Sequence, residues 1–301
     1  MASLFEGFES AFQQVGDVTL HYRRAGSGPP LVLLHGYPET HVMWHKIAPI
    51  LAEDFTVILP DLRGYGDSDK PAGGPKNGDP SHLFYAKRQM AADIVGLMDA
   101  LDIGRFDLVG HDRGARVAHR LCLDHTDRVR RVAFLDIVPT HAIFTGTDQA
   151  IATGFYHWFF LIQPSPLPET MIGRDPAWWL RAKLAAWAES FDSFDPAAVA
   201  EYERCFADPA AIHASCEDYR AGATSDLEHD AADFGQNLVT CPALVLWGQG
   251  FIGKRFEVMP LWQRYATDLR GQALNCGHFL PEEAPTDTLL SLKQFLTSSN
   301  P

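Results

Sequence analysis

The chain reads as an α/β protein, a mostly parallel central sheet flanked by helices, with a helical cap inserted into it. Two observations predict this. Short runs that are apolar throughout, the kind buried on both faces of a parallel sheet, alternate with stretches whose apolar residues recur every three or four positions. From about residue 139 to 230 those runs stop, and Pro and aromatic residues punctuate purely helical patterns. Strand alternating with helix argues for parallel pairing through right-handed crossovers.

Taken in order, Val18–Arg23 alternates like an edge strand, and Gly26–Pro30 is a turn. Leu31–Leu34, Phe55–Leu59, Phe106–Val109, Val132–Leu135 and Ala243–Trp247 are the apolar runs. Lys87–Leu101 carries a helical pattern, as do Phe155–Leu161, Pro176–Glu189, Pro196–Ala207 and Ile212–Ala221 in the cap. The expected organisation is a first part of the core over 1–138, the cap over 139–230 and the rest of the core over 231–301. Sites on open α/β sheets lie at the carboxyl ends of the strands, so a cap inserted there would close over them.

A net charge of −13 disfavours a nucleic-acid partner, and an anionic substrate would need local arginines to overcome that field. No apolar stretch approaches the roughly 20 residues of a membrane span, and the N-terminus lacks the pattern of a signal peptide. Five scattered cysteines with no Cys-x-x-Cys pair fit reduced thiols in a cytoplasmic protein. No metal-ligand spacing appears, and neither metal nor organic cofactor is expected.

The most informative residues are Gly110-His111-Asp112-Arg113-Gly114, between an apolar run and a helical pattern. Small-x-nucleophile-x-small at that junction is the spacing of a nucleophile elbow. Serine there would suit acyl transfer. Asp112 suits displacement at a saturated carbon, because a carboxylate forms an ester that water can cleave, whereas serine would form an inert ether. His35-Gly36-Tyr37-Pro38 follows the Leu31–Leu34 run, and the backbone N–H of Tyr37, with that of Arg113, could form an oxyanion hole. His278, in Asn275–Phe279, is placed as a base. Its orienting acid is missing from Gln249–Gly253, so Asp136, at the end of an apolar run where an unpaired carboxylate is costly, is assigned instead, with Glu257 as an alternative.

These motifs, with Asp61–Gly66, Leu135-Asp136-Ile137, Tyr156-His157-Trp158 and Cys216–Gly222, make the chain resemble the α/β-hydrolase fold and, within it, the haloacetate dehalogenases. The resemblance implies Asp112 as nucleophile, His278 as base and Asp136 as its partner. It implies Arg113 and Arg116 as a carboxylate clamp, and His157, Trp158 and Tyr219 as halide donors. It also suggests a homodimer. Arg113 and Arg116 suit an acid because a guanidinium pairs with a carboxylate through parallel hydrogen bonds. Trp187 and Tyr156 stay open between pocket wall and cap core. The rivals are an epoxide hydrolase, with Tyr156 and Tyr219 opening the ring, and a non-catalytic ligand receptor on the same fold.

Overall fold

The computed structural model describes residues 4–298. Eight strands form one sheet in the order β1-β2-β4-β3-β5-β6-β7-β8. They are β1 Glu9–Val15, β2 Val18–Ala25, β3 Pro30–Leu34, β4 Thr56–Pro60, β5 Phe106–His111, β6 Val129–Leu135, β7 Ala243–Gly248 and β8 Leu269–Leu274. Pairing is antiparallel from β1 through β2 to β4 and parallel from there on. All six residues of β5 and all five of β4 are buried, which is why those runs carry no polar alternation. β1 gives no such signal, because as the antiparallel edge strand it leaves most of its side chains partly in water.

The segment between β6 and β7 contains no strand among the described residues. It holds the helices Thr140–Gly146, Gln149–Gly154, Tyr156–Leu161, Leu167–Ile172, Pro176–Trp187, Pro196–Phe206, Pro209–Ala223 and Ser225–Asp233. Asp175, Asp195 and Asp208 each cap a following helix that begins with proline, so the Pro punctuation of the sequence marks helix starts. The last helix runs three residues past 230, where the sequence suggested a return to the core, and β7 begins only at Ala243. Polar bonds fasten this segment over the strand ends. Trp179 Nε1–H donates to the Tyr37 hydroxyl at 2.6 Å, and His278 N–H donates to Trp187 O at 2.9 Å. No helix among the described residues is long and apolar enough to cross a membrane.

The helix Asp112–Asp124 leaves β5 so sharply that its first turn lies on the neighbouring backbone. A Cβ on Gly114 would lie 2.4 Å from His35 O and 2.5 Å from Leu34 O, and one on Gly110 would lie 2.6 Å from Ala115 Cα. All these obstacles are backbone, so neither can swing aside. Gly114→Ala should therefore cost about 1–3 kcal/mol of stability through overpacking. A urea midpoint unchanged from the parent protein would show that the elbow is looser than this geometry.

Candidate active site

Asp112 sits at the end of β5 with φ +45°, a left-handed conformation that costs a non-glycine residue roughly 1–3 kcal/mol. That turn presents its carboxylate to the strand ends. Tyr37 N–H donates to Oδ1 at 3.0 Å, leaving Oδ2 3.9 Å from His278 Nε2. On the other side of the imidazole, His278 Nδ1 lies 2.5 Å from Asp136 Oδ2. With its Nδ1–H given to Asp136, the imidazole turns its Nε2 lone pair toward Asp112. Asp136 Oδ1 in turn accepts the Gly248 N–H at 2.8 Å. Glu257 is exposed and borders a different depression, beside Trp247 and Pro260.

Burial shapes the titration of this group. It raises Asp112, but His278, Arg113 and Arg116 more than offset it, so the carboxyl is held below its usual range. Burial also pulls His278 down to about 4 against the opposing charge of Asp112. The imidazole is thus neutral at ordinary pH and able to take a proton.

The two arginines are held differently. Arg113 is fully buried and turns its fork to Asp218, with Nε to Oδ2 at 2.9 Å and Nη2 to Oδ1 at 2.8 Å. Only Nη1 is left without a partner, so Arg113 offers a ligand one nitrogen rather than the parallel pair the sequence suggested. Arg116 makes no contact ion pair, and Asp112 across the cavity is the first carboxylate whose charge acts on it. Its Nη1 donates to Val138 O and Thr140 Oγ1, both at 3.0 Å, and its Nε is buried and unpartnered. Its guanidinium lies 4.6 Å from the centre of the Trp158 ring. Burial lowers Arg116 to about 10, which still leaves it charged at neutral pH.

A narrow cavity of about 10 Å³, about the room that one water molecule needs, joins Asp112, Arg116 and His278. Asp112, Arg116, His278, His157, Trp158 and Trp187 line it, which settles Trp187 as wall. Tyr219 packs edge-on against His157 and Trp158, with ring centres 5.8 and 5.7 Å apart. Burial, followed by the charge of Lys183, holds His157 well below its normal value, so it is a neutral donor with Nδ1 unpartnered. Tyr219 stands behind His157 and Trp158 rather than in the cavity wall, and Tyr156 is half exposed with its hydroxyl bonded to Lys183, so neither tyrosine lines the cavity.

The family model for the alpha/beta hydrolase fold matches residues 29–285. The chain belongs to the alpha/beta-hydrolase family. It is 46% identical over 298 residues to a fluoroacetate dehalogenase from Burkholderia sp, covering 98% of this chain and 96% of that one. It is also 36% identical over 272 residues to a soluble epoxide hydrolase from Corynebacterium sp. (strain C12), covering 88% and 89%. A solved Nostoc sp PCC 7120 structure assigned to the alpha/beta hydrolases superposes with a TM-score of 0.94 at 55% identity, over 97% of this chain and 99% of that one. The chain is a hydrolase of this fold.

Asp218 and Lys183 are the site residues that sequence reasoning missed. Asp218 was in view only as part of a cap motif. It is fully buried and accepts from Arg113, from Lys87 Nζ and from the Tyr65 hydroxyl, the last at 2.6 Å. Nothing local in Glu217-Asp218-Tyr219 announces a carboxylate shared by two cations more than 100 positions upstream. Asp218→Asn should cost about 3–5 kcal/mol, because it leaves the buried Arg113 without its charge and Lys87 with Asp226 alone, at 3.5 Å. Chemical denaturation measures it, and a loss below 1 kcal/mol would mean that water enters and replaces the carboxylate.

Proposed function

We propose that the protein hydrolyses a short 2-haloacid, with fluoroacetate or another haloacetate as substrate and glycolate plus halide as products. The observation that carries this reading is Arg116, a buried guanidinium with no carboxylate partner of its own, which lines the same small cavity as Asp112. An ionised substrate supplies the missing charge, and a neutral one does not. The Burkholderia relative's activity supports the same reading.

In the first step Asp112 Oδ2 attacks the α-carbon in line, the carbon–halogen bond breaks, and the halide leaves with its electron pair. His157 and Trp158 from the wall, and Tyr219 from behind them, donate hydrogen bonds to that ion, which matters most for fluoride. Arg116 and the free Nη1 of Arg113 hold the carboxylate. In the second step His278 Nε2 takes a proton from water, and the hydroxide adds to the Asp112 carboxyl carbon. Negative charge gathers on Oδ1, the oxygen already bonded to Tyr37 N–H, with Arg113 N–H as the second donor. Collapse breaks the ester C–O bond, the imidazolium, kept oriented by Asp136, returns its proton to the leaving glycolate hydroxyl oxygen, and the restored Asp112 carboxyl loses its own proton to water. The chain works without cofactor as a cytoplasmic homodimer, and the helical cap over 139–230 closes the site.

Single turnover in ¹⁸O-water tests the covalent route. Label should enter Asp112, and His278→Ala should expel one halide and stall as an ester visible by intact mass. Label confined to glycolate would overturn it. Arg116→Met should lower haloacetate kcat/KM by about 30-fold or more, the equivalent of roughly 2 kcal/mol or more for an unpaired buried charge. Rapid opening of a neutral epoxide, with no halide released from the acid, would favour the epoxide hydrolase reading. Binding without turnover of either would favour a receptor.

The depressed His278 value fixes the sign of the pH dependence. The base works only when unprotonated, so ester hydrolysis should be constant from neutral pH to about 5 and fall tenfold per unit below about 4. An acid limb near 6.5, read from pre-steady-state deacylation, would mean that the imidazole is hydrated in the working enzyme.

A further inference from the structure

Seven lysine and arginine side chains are buried among the described residues. Arg63, Lys87, Arg113, Arg120 and Arg220 each lie against a carboxylate. Arg116 and Lys183 do not. A buried cation with no carboxylate in contact is expensive, and Arg116 at least shares its cavity with the charge of Asp112. Arg116 lines it directly. Lys183, on the helix Pro176–Trp187, stands behind the wall, with Nζ 5.9 Å from the centre of the Trp187 ring.

The surroundings of Lys183 favour a cation without neutralising it. Nζ lies 4.1 Å from the Tyr156 ring centre and 4.5 Å from that of Trp179, and its polar partner is the Tyr156 hydroxyl. Tyr156 is half exposed, so Lys183 sits between solvent and the cavity wall formed by His157 and Trp187. Aromatic faces hold a positive charge in place without cancelling its field. In a low-dielectric cap that field reaches an anion approaching the cavity.

We infer that Lys183 is a specificity-determining residue, a fixed positive charge at the cap that raises the affinity of the cavity occupied by Asp112 and Arg116 for small monovalent anions. The anion is a short carboxylate entering or a halide leaving. This inference rests on the reading of the cavity as a site for an anionic substrate. The charge does not touch the reacting atoms, so its effect falls on capture.

Calorimetric titration with acetate and, separately, with chloride tests this without turnover. Lys183→Met should weaken acetate binding about five- to tenfold at low ionic strength, and the deficit should shrink to less than about twofold near 0.5 M salt. Lys183→Arg should hold acetate affinity within about twofold of the parent. In turnover, the loss in kcat/KM should exceed the loss in kcat. Lys183→Gln, checked for an intact melting transition, serves if the Met variant does not fold. Weakened acetate with unchanged chloride assigns the charge to the entering acid, and the reverse assigns it to the leaving halide. Unchanged affinity for both anions, a deficit equal at both salt concentrations, or an Arg variant as weak as Met would overturn the inference. Absence of haloacetate turnover in the parent protein would sink the proposed substrate while leaving the titration to judge Lys183.

Discussion

A carboxylate that must stay ionised while fully enclosed is the constraint from which the rest of this site follows. Asp112 has lost its water, and burial alone would protonate it. At neutral pH, where His278 carries no charge, the offsetting charge comes from Arg113 and Arg116. A cation brought into the same dry space needs compensation in turn, and for Arg113 it comes from Asp218 on the helix Pro209–Ala223. Asp218 also takes Lys87 from the core helix Lys87–Ala100 and the hydroxyl of Tyr65. The electrostatics of Asp112 and the docking of the helical segment are therefore one network, and a change at position 218 is felt at the elbow.

Much of the core was legible because its signals are local. A parallel strand buried on both faces is an apolar run, and β3, β4, β5, β6 and β7 all carry one. The elbow is legible for a related reason, since backbone packed against backbone leaves glycine as the residue that fits at 110 and 114. β1 was missed because an exposed edge strand has no apolar face to display. The short helices Thr140–Gly146 and Leu167–Ile172 were missed because one or two turns cannot express a helical period. Asp218 and Lys183 were invisible for a deeper reason. Their meaning lies in partners brought near by the tertiary fold, and Lys183 is informative through a missing partner, which no window of sequence can display.

The choice between acid and epoxide turns on how polar groups are spent. Opening an epoxide calls for two hydroxyls aimed at the ring oxygen. Here Tyr156 turns its hydroxyl to Lys183 at the surface side, and the Tyr37 hydroxyl accepts the Trp179 Nε1–H. The residue after the nucleophile is a guanidinium held rigid by Asp218 rather than an apolar wall. These are expensive arrangements for a neutral substrate, because each leaves buried donors such as Arg116 Nε with nothing to bind.

The position of Asp136 beside His278 follows from sheet register. β5 and β6 are parallel with Gly110 opposite Phe134 and His111 opposite Leu135, so the next residues, Asp112 and Asp136, emerge level with each other. Both adopt left-handed conformations, at φ +45° and +52°, and both lift a carboxylate out of the sheet toward the same imidazole. β7 runs beside β6, and its last residue, Gly248, gives its N–H to Asp136. A Cβ at 248 would meet Gly277 O at 1.8 Å, so β7 ends packed against the loop that carries His278. With the loop so close, a carboxylate at the end of β6 reaches His278 Nδ1. Asp136 is costly to bury, since desolvation pushes its carboxyl well up and the Gly248 N–H only partly opposes that. An acid with no partner there would be eliminated by its cost to folding. Its presence within the Phe134–Val138 run is intelligible only together with His278, 142 residues further along the chain.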